Sequence, residues 1–264
     1  MPIDFHAPHN RFSYAMREAD LTWRENIQHH VIDVRGKTLV DIGCGGGIYT
    51  LALAEMGAAQ VTGVDFSREE ILAAQEMHQD VSNVTFTVGD AFHTGLASGQ
   101  YDIVLERALI HHFKQEDLPR CFIEASRILK PGGMLIVQNR TPEDCMLPGS
   151  ETHVRYYIVS QYPELLEKDV ARRHTSAVVI AALQQAGFVH VEEQKLWETR
   201  QIYKNVDELT QDIQARTGRS ILHELSDEKL QRLVDTMRER LKNHKGVIVE
   251  QDRWTVWSAI KTRA

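Results

Sequence analysis

The chain has 264 residues, enough for one α/β domain with a sizeable core and an added cap. With 42% hydrophobic residues, 25% charged residues and a formal net charge of -7, the composition is that of an ordinary globular protein and disfavours a polyanion-binding surface, so nucleic acid is not an expected partner. The opening MPIDFHAPHNRF lacks a basic flank followed by an apolar stretch, and no later run approaches the ~20 apolar residues of a membrane span; a cytoplasmic protein with no membrane insertion is expected. Cys44, Cys121 and Cys145 form neither a CxxC pair nor a close Cys/His pattern, so no disulfide framework and no metal site are expected.

Residues 1–36 are read as an N-terminal helical segment. From 37 to 140, short runs rich in Val and Ile alternate with helical patterns, the signature of βαβ units and a parallel sheet. Strands are predicted at 38–41, 60–65, 84–88, 101–105 and 134–138, each short and nearly all apolar, as a strand covered on both faces should be. The helix after the first strand stops at Gly57, Ser67 with Glu70 forms a capping box for the next, and the one ending at Leu129 meets Pro131.

Residues 141–174, with Pro142, Pro148 and Pro163, read as a loop-rich segment on the substrate side. A helix then spans 175–185, a sixth strand 189–196, two helical stretches 206–217 and 226–243, and a last strand 254–260. The two late helices form an insertion, about 198–246, that can lie over the carboxyl ends of the strands, where such sheets bind ligands. The predicted fold is therefore α/β, a Rossmann-like doubly wound seven-stranded mostly parallel sheet with an inserted helical cap.

The clearest chemical signal is Val40-Asp41-Ile42-Gly43-Cys44-Gly45-Gly46-Gly47, which leaves a strand and enters a helix. Glycines let the backbone turn tightly and let a ligand approach main-chain amides that a Cβ atom would block. The dinucleotide fingerprint fails in both registers, because Ile48 or Thr50 stands where a small residue is required, and no Lys-Ser or Lys-Thr follows to make a phosphate loop. Asp65 closes the second strand 22 residues after Gly43, a spacing that suits an acid accepting from both hydroxyls of a ribose, although a strand-end Asp also serves simply to open a turn. Past the third strand, Gly89-Asp90-Ala91-Phe92 offers an acceptor for an amino group and a ring to line a base, in what is otherwise a common turn.

Taken together and in this order, these segments resemble class I S-adenosylmethionine (SAM)-dependent methyltransferases. VDIGCGGG is similar to the family's first motif, VTGVDFS to its second-strand acid, GDAF to its adenine-binding turn, YDIVLERALIHHF to its fourth strand and following loop, and LKPGGMLIV to the turn into its fifth strand. The resemblance implies SAM as cofactor, Gly43, Gly45 and Gly47 making room for its methionine part with Asp41 nearby, Asp65 on the ribose, Phe66 packed on adenine, and Asp90 and Ala91 reading its edge, with Phe92 lining the base. It implies that backbone near Arg107 receives the amino group. Residues 14–23 look like the helix that closes over SAM in many small-molecule members, with Tyr14 and Arg17 on one helical face; an amphipathic surface helix accounts for the same residues.

Methyl transfer requires a nucleophile in line with the methyl group and water excluded, and a base only when the acceptor must lose a proton. His111 and His112, directly after the fourth strand, are the best placed for that, with His111 preferred and Glu106 second; the plainer account packs one under the sheet edge. Arg140, Arg155, Tyr156, Tyr157, Arg172 and Arg173 are available to an acceptor, the arginines suiting a carboxylate or phosphate. Trp254 and Trp257 are expected to share one face of the last strand, as core. The expected activity is transfer of a methyl group to an O, N or C nucleophile of a small molecule; the competing readings are a SAM-binding regulator without catalysis and an NAD(P)-dependent oxidoreductase. The Asn-Pro-Pro-Tyr type sequence of members that methylate exocyclic base nitrogens has no counterpart here.

Overall fold

The computed structural model describes residues 19–217 and 219–263. Tyr14 and Arg17, and with them half of the expected lid helix, lie outside the described residues. The described chain begins with α1 (Leu21–Asn26), which Asp20 caps by accepting from the Thr22 amide, and continues into a π-helical turn at Ile27–Val31. Trp23 on this helix is fully buried and its Nε1 donates to Gln138 at 2.7 Å, which fastens the segment to the sheet.

Seven strands form one sheet: β1 (Thr38–Ile42), β2 (Gln60–Asp65), β3 (Val84–Val88), β4 (Tyr101–Arg107), β5 (Leu129–Asn139), β6 (Phe188–Tyr203) and β7 (Ile248–Lys261). Their order is β3-β2-β1-β4-β5-β7-β6. Strands β1 to β5 pair in parallel, and β7 runs antiparallel between β5 and β6. The chain therefore steps outward from β1 to β3, then restarts at β4 on the other side of β1. That reversal opens a crevice above the carboxyl ends of β1 and β4, the place where doubly wound sheets bind ligands.

Helices α2 (Ile48–Glu55), α3 (Arg68–Met77), α4 (Leu118–Ile128) and α8 (Ser176–Gln185) pack on the sheet. One buried cluster on the sheet unites Val40, Val104, Phe122, Leu135, Leu183 and Trp257, and a second unites Trp23, Leu39, Leu53, Ile103, Ile136 and Trp254. Trp254 and Trp257 thus lie on opposite faces, against expectation. They are three residues apart, an odd separation, and the β6 pairing advances one residue at a time from Leu196↔Trp254 to Glu193↔Trp257, so no bulge restores a shared face.

Residues 141–174 are more helical than their prolines suggested, holding α5 (Pro142–Cys145), α6 (Arg155–Ser160) and α7 (Pro163–Ala171). Pro142 and Pro163 stand at helix starts, where the missing N–H would have had no partner anyway. Thr141 and Asp144 make a full capping box there. At Ser67 only half of that motif forms: the serine oxygen accepts from the Glu70 amide at 3.4 Å, while Glu70 Oε2 is buried without a hydrogen-bond partner.

β6 and β7 are longer than predicted. β5 pairs with β7 only from Thr255 to Ile260, so β7 before Thr255, paired to β6 from Leu196 to Tyr203, continues past the carboxyl edge as a two-stranded ribbon. Between them α9 (Val206–Gln214) and α10 (Asp227–Leu241) form the expected insertion. Leu209, Ile213, Leu233, Val234 and Met237 pack with Ile158, Leu165, Tyr203 and Ile248 in a third core, which makes the ribbon, the insertion, α6 and α7 one cap.

Candidate active site

The first wall of the site is the turn between β1 and α2. Gly43, Gly45 and Gly47 have φ of +77°, +50° and +85°. The amides of Gly43 and Cys44 both donate to the Val64 carbonyl, at 2.7 and 3.1 Å, which locks the turn to β2. A Cβ on Gly43 would stand 2.9 Å from Leu109 Cδ1, and one on Gly47 2.6 Å from the Phe86 ring, so both dihedral angle and space call for glycine.

Asp65 stands at the end of β2, almost buried. Its Oδ2 accepts from the Gly45 amide and its Oδ1 from the Ser67 amide, both at 2.9 Å. Phe66 beside it is 57% exposed, an unusual position for a large aromatic ring unless a ligand covers it. Past β3, Asp90 Oδ1 accepts from the amides of Phe92 and His93, at 2.7 and 2.9 Å. Phe92 is held at 4.7 Å from Phe113 and under Arg120.

At the end of β4, Arg107 forms a two-bond ion pair with Glu198 of β6, both contacts 2.8 Å, and its guanidinium lies over Tyr49 at 3.8 Å and Trp254 at 4.5 Å. Glu198 also accepts from the Tyr49 hydroxyl at 2.6 Å and from Gln138 at 3.0 Å. Ala108 follows with φ of +52°, a conformation uncommon for a residue with a side chain and one that collects at functional sites.

The 3-10 turn Ile110–His112 then brings His111 and His112 together, their rings 4.1 Å apart. His111 Nδ1 is buried without a hydrogen-bond partner. Burial, and then the charges of Arg173, His112 and Arg172, hold the His111 pKa well below the usual histidine value; burial followed by Arg172 and Arg173 lowers that of His112.

Facing the histidines, Asp169 of α7 gathers three guanidinium groups. Arg155 donates to its Oδ2, and Arg172 and Arg173 both donate to Oδ1 at 2.7 Å. Burial alone would raise the Asp169 carboxyl, but Arg155, Arg173 and Arg172 hold it far below the carboxylate range. Arg140 pairs with Asp252 and lies over Trp254 at 4.3 Å; its pKa is lowered to about 10, mainly by burial, with Arg155 and Arg173 adding to the effect against the pull of Asp252.

All these walls enclose one cavity of about 770 Å³. It is lined by Gly43, Gly45, Asp65, Phe66, Asp90, Ala91 and Phe92 on one side, and by Arg107, His111, Arg140, Arg155, Arg172, Arg173 and Trp254 on the other. Asp41 and Gly47 do not line it. Asp41 is buried behind the turn, accepting from the Thr50 hydroxyl at 2.7 Å, with its pKa raised to about 6 by burial; Gly47 is the N-cap of α2. Tyr156, Tyr157 and Glu106 also lie off the cavity. Among the described residues no group of three or more His, Cys, Asp or Glu side chains could hold a metal ion, and no helix is long and apolar enough to cross a membrane.

Glu70 was read only as part of a helix cap, and the lining residues Glu198, Arg200, Arg219 and Asp252 carry no motif in the sequence. The available signal was charge at every second position, Glu198 with Arg200 on β6 and Glu250 with Asp252 on β7. Arg200 and Arg219 both pair with Asp212 and Glu250 in the stem of the cap, Arg219 bonding Glu250 at 2.6 Å.

Residues 40–137 match the family model described as "Methyltransferase domain". Over 117 residues the chain is 37% identical to a ubiquinone biosynthesis O-methyltransferase of Paraburkholderia xenovorans, an alignment covering 43% of this chain and 47% of that protein. The chain thus spans about half the length of the curated relatives it matches. Among solved structures, a phosphoethanolamine N-methyltransferase 2 of Haemonchus contortus superposes with a TM-score of 0.62 at 18% identity, over 98% of this chain and 61% of that one. A putative methyltransferase of Bacillus halodurans superposes with a TM-score of 0.56 at 19% identity, over 92% and 99%. The structural likenesses speak to the fold. The family match runs over the glycine turn, the acid and β4, so residues 40–137 are similar to a methyltransferase domain.

Proposed function

We propose that the cavity binds SAM between the glycine turn, Asp65 and Asp90, and that the chain transfers its methyl group to a small-molecule acceptor seated beneath the cap. The observation that carries this reading is the continuity of the cavity. At about 770 Å³ it is large among small-molecule sites, which run from ~300 to 1,000 Å³, and it joins the nucleoside-shaped side to the charged cap side, so donor and acceptor share one space.

The residues present fit the cofactor. Asp65 lines the cavity with its carboxylate fixed by the Gly45 and Ser67 amides, an acceptor of the kind that ribose hydroxyls need. Phe66 lines the cavity where adenine can pack on its ring, and Arg107 Nε is buried without an acceptor among the described residues, a donor suited to a carboxylate. When bound, SAM supplies a methyl group on a sulfonium sulfur. The chain's own task is to hold the acceptor in line with that methyl group and to exclude water. For a hydroxyl acceptor, His111 takes the proton at Nδ1, an atom with no other hydrogen-bond partner among the described residues, on an imidazole kept neutral by burial and by its cationic neighbours.

The acidic net charge of -7 supports a small acceptor over nucleic acid, and three free, buried cysteines accord with a cytoplasmic location. The test is calorimetry followed by turnover. SAM and S-adenosylhomocysteine should bind the chain and NAD should not, and labelled methyl groups should appear in product from a panel of acceptors. Binding of NAD without SAM would reject the cofactor assignment, and SAM binding with no turnover on any acceptor would favour a regulator.

A further inference from the structure

Among the described residues on the cap side of the cavity, the charged groups balance in pairs except at one place. Arg107 faces Glu198, Lys168 faces Glu224, and Arg200 and Arg219 face Asp212 and Glu250. Beneath the cap, however, the four guanidinium groups of Arg140, Arg155, Arg172 and Arg173 share two carboxylates, Asp169 and Asp252. Two positive charges are left over beside the cavity, on side chains that are 3–30% exposed.

We infer that the acceptor carries a compact dianionic head group, a phosphate monoester or a small dicarboxylate, bound by Arg140, Arg155, Arg172 and Arg173. This rests on the methyl-transfer reading for the acceptor's role, while the anion site itself stands on the charge balance.

A guanidinium excluded from water is costly unless an anion answers it, and Asp169 has already filled its oxygens with Arg155, Arg172 and Arg173. Two donors at this spot are sealed from solvent with no acceptor, Arg173 Nε and Asn139 Nδ2, and the two side chains are joined by an Arg173 Nη1 to Asn139 Oδ1 bond of 3.1 Å. Arg173 lines the cavity with its guanidinium fixed by Asp169 and Asn139. SAM does not supply the missing charge, since the carboxylate of its amino-acid end is cancelled by its own ammonium group. A monocarboxylate would cancel half of the excess. A dianion cancels all of it, and its several oxygens suit planar guanidinium forks approaching from α6, the end of α7 and β5.

The inference also gives His111 a second property. The charges of Arg173 and Arg172 help to keep its imidazole unprotonated. A bound dianion offsets those charges, so the base becomes a better proton acceptor only when the acceptor is in place.

The experiment is a calorimetric titration of the full chain, with and without saturating S-adenosylhomocysteine, using inorganic phosphate and malonate as probes and acetate as control at fixed ionic strength. Phosphate or malonate should bind about tenfold or more tightly than acetate, and Arg172→Gln should weaken that binding about tenfold while S-adenosylhomocysteine affinity stays within about twofold. Phosphate ahead of malonate identifies a phosphate monoester, and the reverse order a dicarboxylate. Dianions that bind no better than acetate, or that bind Arg172→Gln as well as wild type, would overturn the proposal. Arg172 is 30% exposed, so its replacement should fold; if it does not, a rise in the wild-type melting temperature with phosphate but not acetate makes the same distinction. Failure of S-adenosylhomocysteine to bind would sink the methyl-transfer reading and leave the anion titration standing.

Discussion

The Gly45 amide donates to Asp65 Oδ2 at 2.9 Å, so the glycine turn above β1 is held open by the acid that closes β2. The two motifs lie 20 residues apart and form a single device, in which the carboxylate orders the turn at the wall of the cavity. Asp65→Ala should therefore lower SAM affinity by about 1.5 to 3 kcal/mol, the loss of a charged acceptor. Calorimetric titration with S-adenosylhomocysteine reads this directly, and an unchanged dissociation constant would reject the assignment.

Glu198 answers three donors at once, Arg107, Tyr49 and Gln138. Removing it would leave the Arg107 guanidinium buried without its counter-charge. Glu198→Ala is expected to destabilise the fold by about 3–5 kcal/mol, measured by urea unfolding. A loss within the range of an exposed ion pair, below ~1 kcal/mol, would mean that the bridge between β4 and β6 is ornamental.

Among the described residues Glu106 has no ionic partner, and it is fully buried; burial pushes its pKa up to about 8, although the Cys121 thiol, donating to the carboxylate, pulls the other way. The fold therefore favours the protonated acid over its unfolded value near 4.5. That stability is complete below the unfolded value and is lost as pH rises through 8. The uncharged Glu106→Gln should unfold with little dependence on this group, and at pH 9 it should exceed wild type by an amount on the order of 3 kcal/mol. Parallel stability profiles for the two proteins would show that Glu106 is ionised in the fold.

The parallel core was legible because each of its strands is a short apolar run and each turn carries its own punctuation. Predicted bounds for β2 and β3 agree with the structure, and Gly43, Asp65, Phe66 and Asp90 all reach the cavity as their motifs implied. The ribbon was not legible past Leu196. Glu198, Arg200 and Asp252 point charge into a cavity rather than apolar surface into a core, so the pattern that marks a buried strand disappears where the strand becomes functional. For the same reason α6 and α7 hid among prolines and arginines. Asp169, the hub of the arginine cluster, bore no signal of its own, since its role depends on three partners, of which Arg155 comes from another helix.

His111 provides the last test, because its surroundings set the pH at which it can act. The groups facing it are Arg172, Arg173 and Asp169 at the end of α7 and the adjoining His112, while the neighbouring His174 is engaged with the carbonyls of Ile110 and Phe113. Burial and the two arginines lower its pKa well below 6.5, so the unprotonated base persists into acid. The acidic limb of kcat/KM, which reports the free enzyme, should accordingly fall below that ordinary histidine value. Arg172→Gln removes one cationic neighbour and should move the limb upward. His111→Ala should lower kcat by about 10²- to 10⁴-fold on a hydroxyl acceptor, with S-adenosylhomocysteine affinity nearly unchanged. On an acceptor that attacks without losing a proton, the same substitution should cost much less, because positioning is then all that the site must supply. Equal losses on both kinds of acceptor would identify His111 as a positioning residue rather than the base.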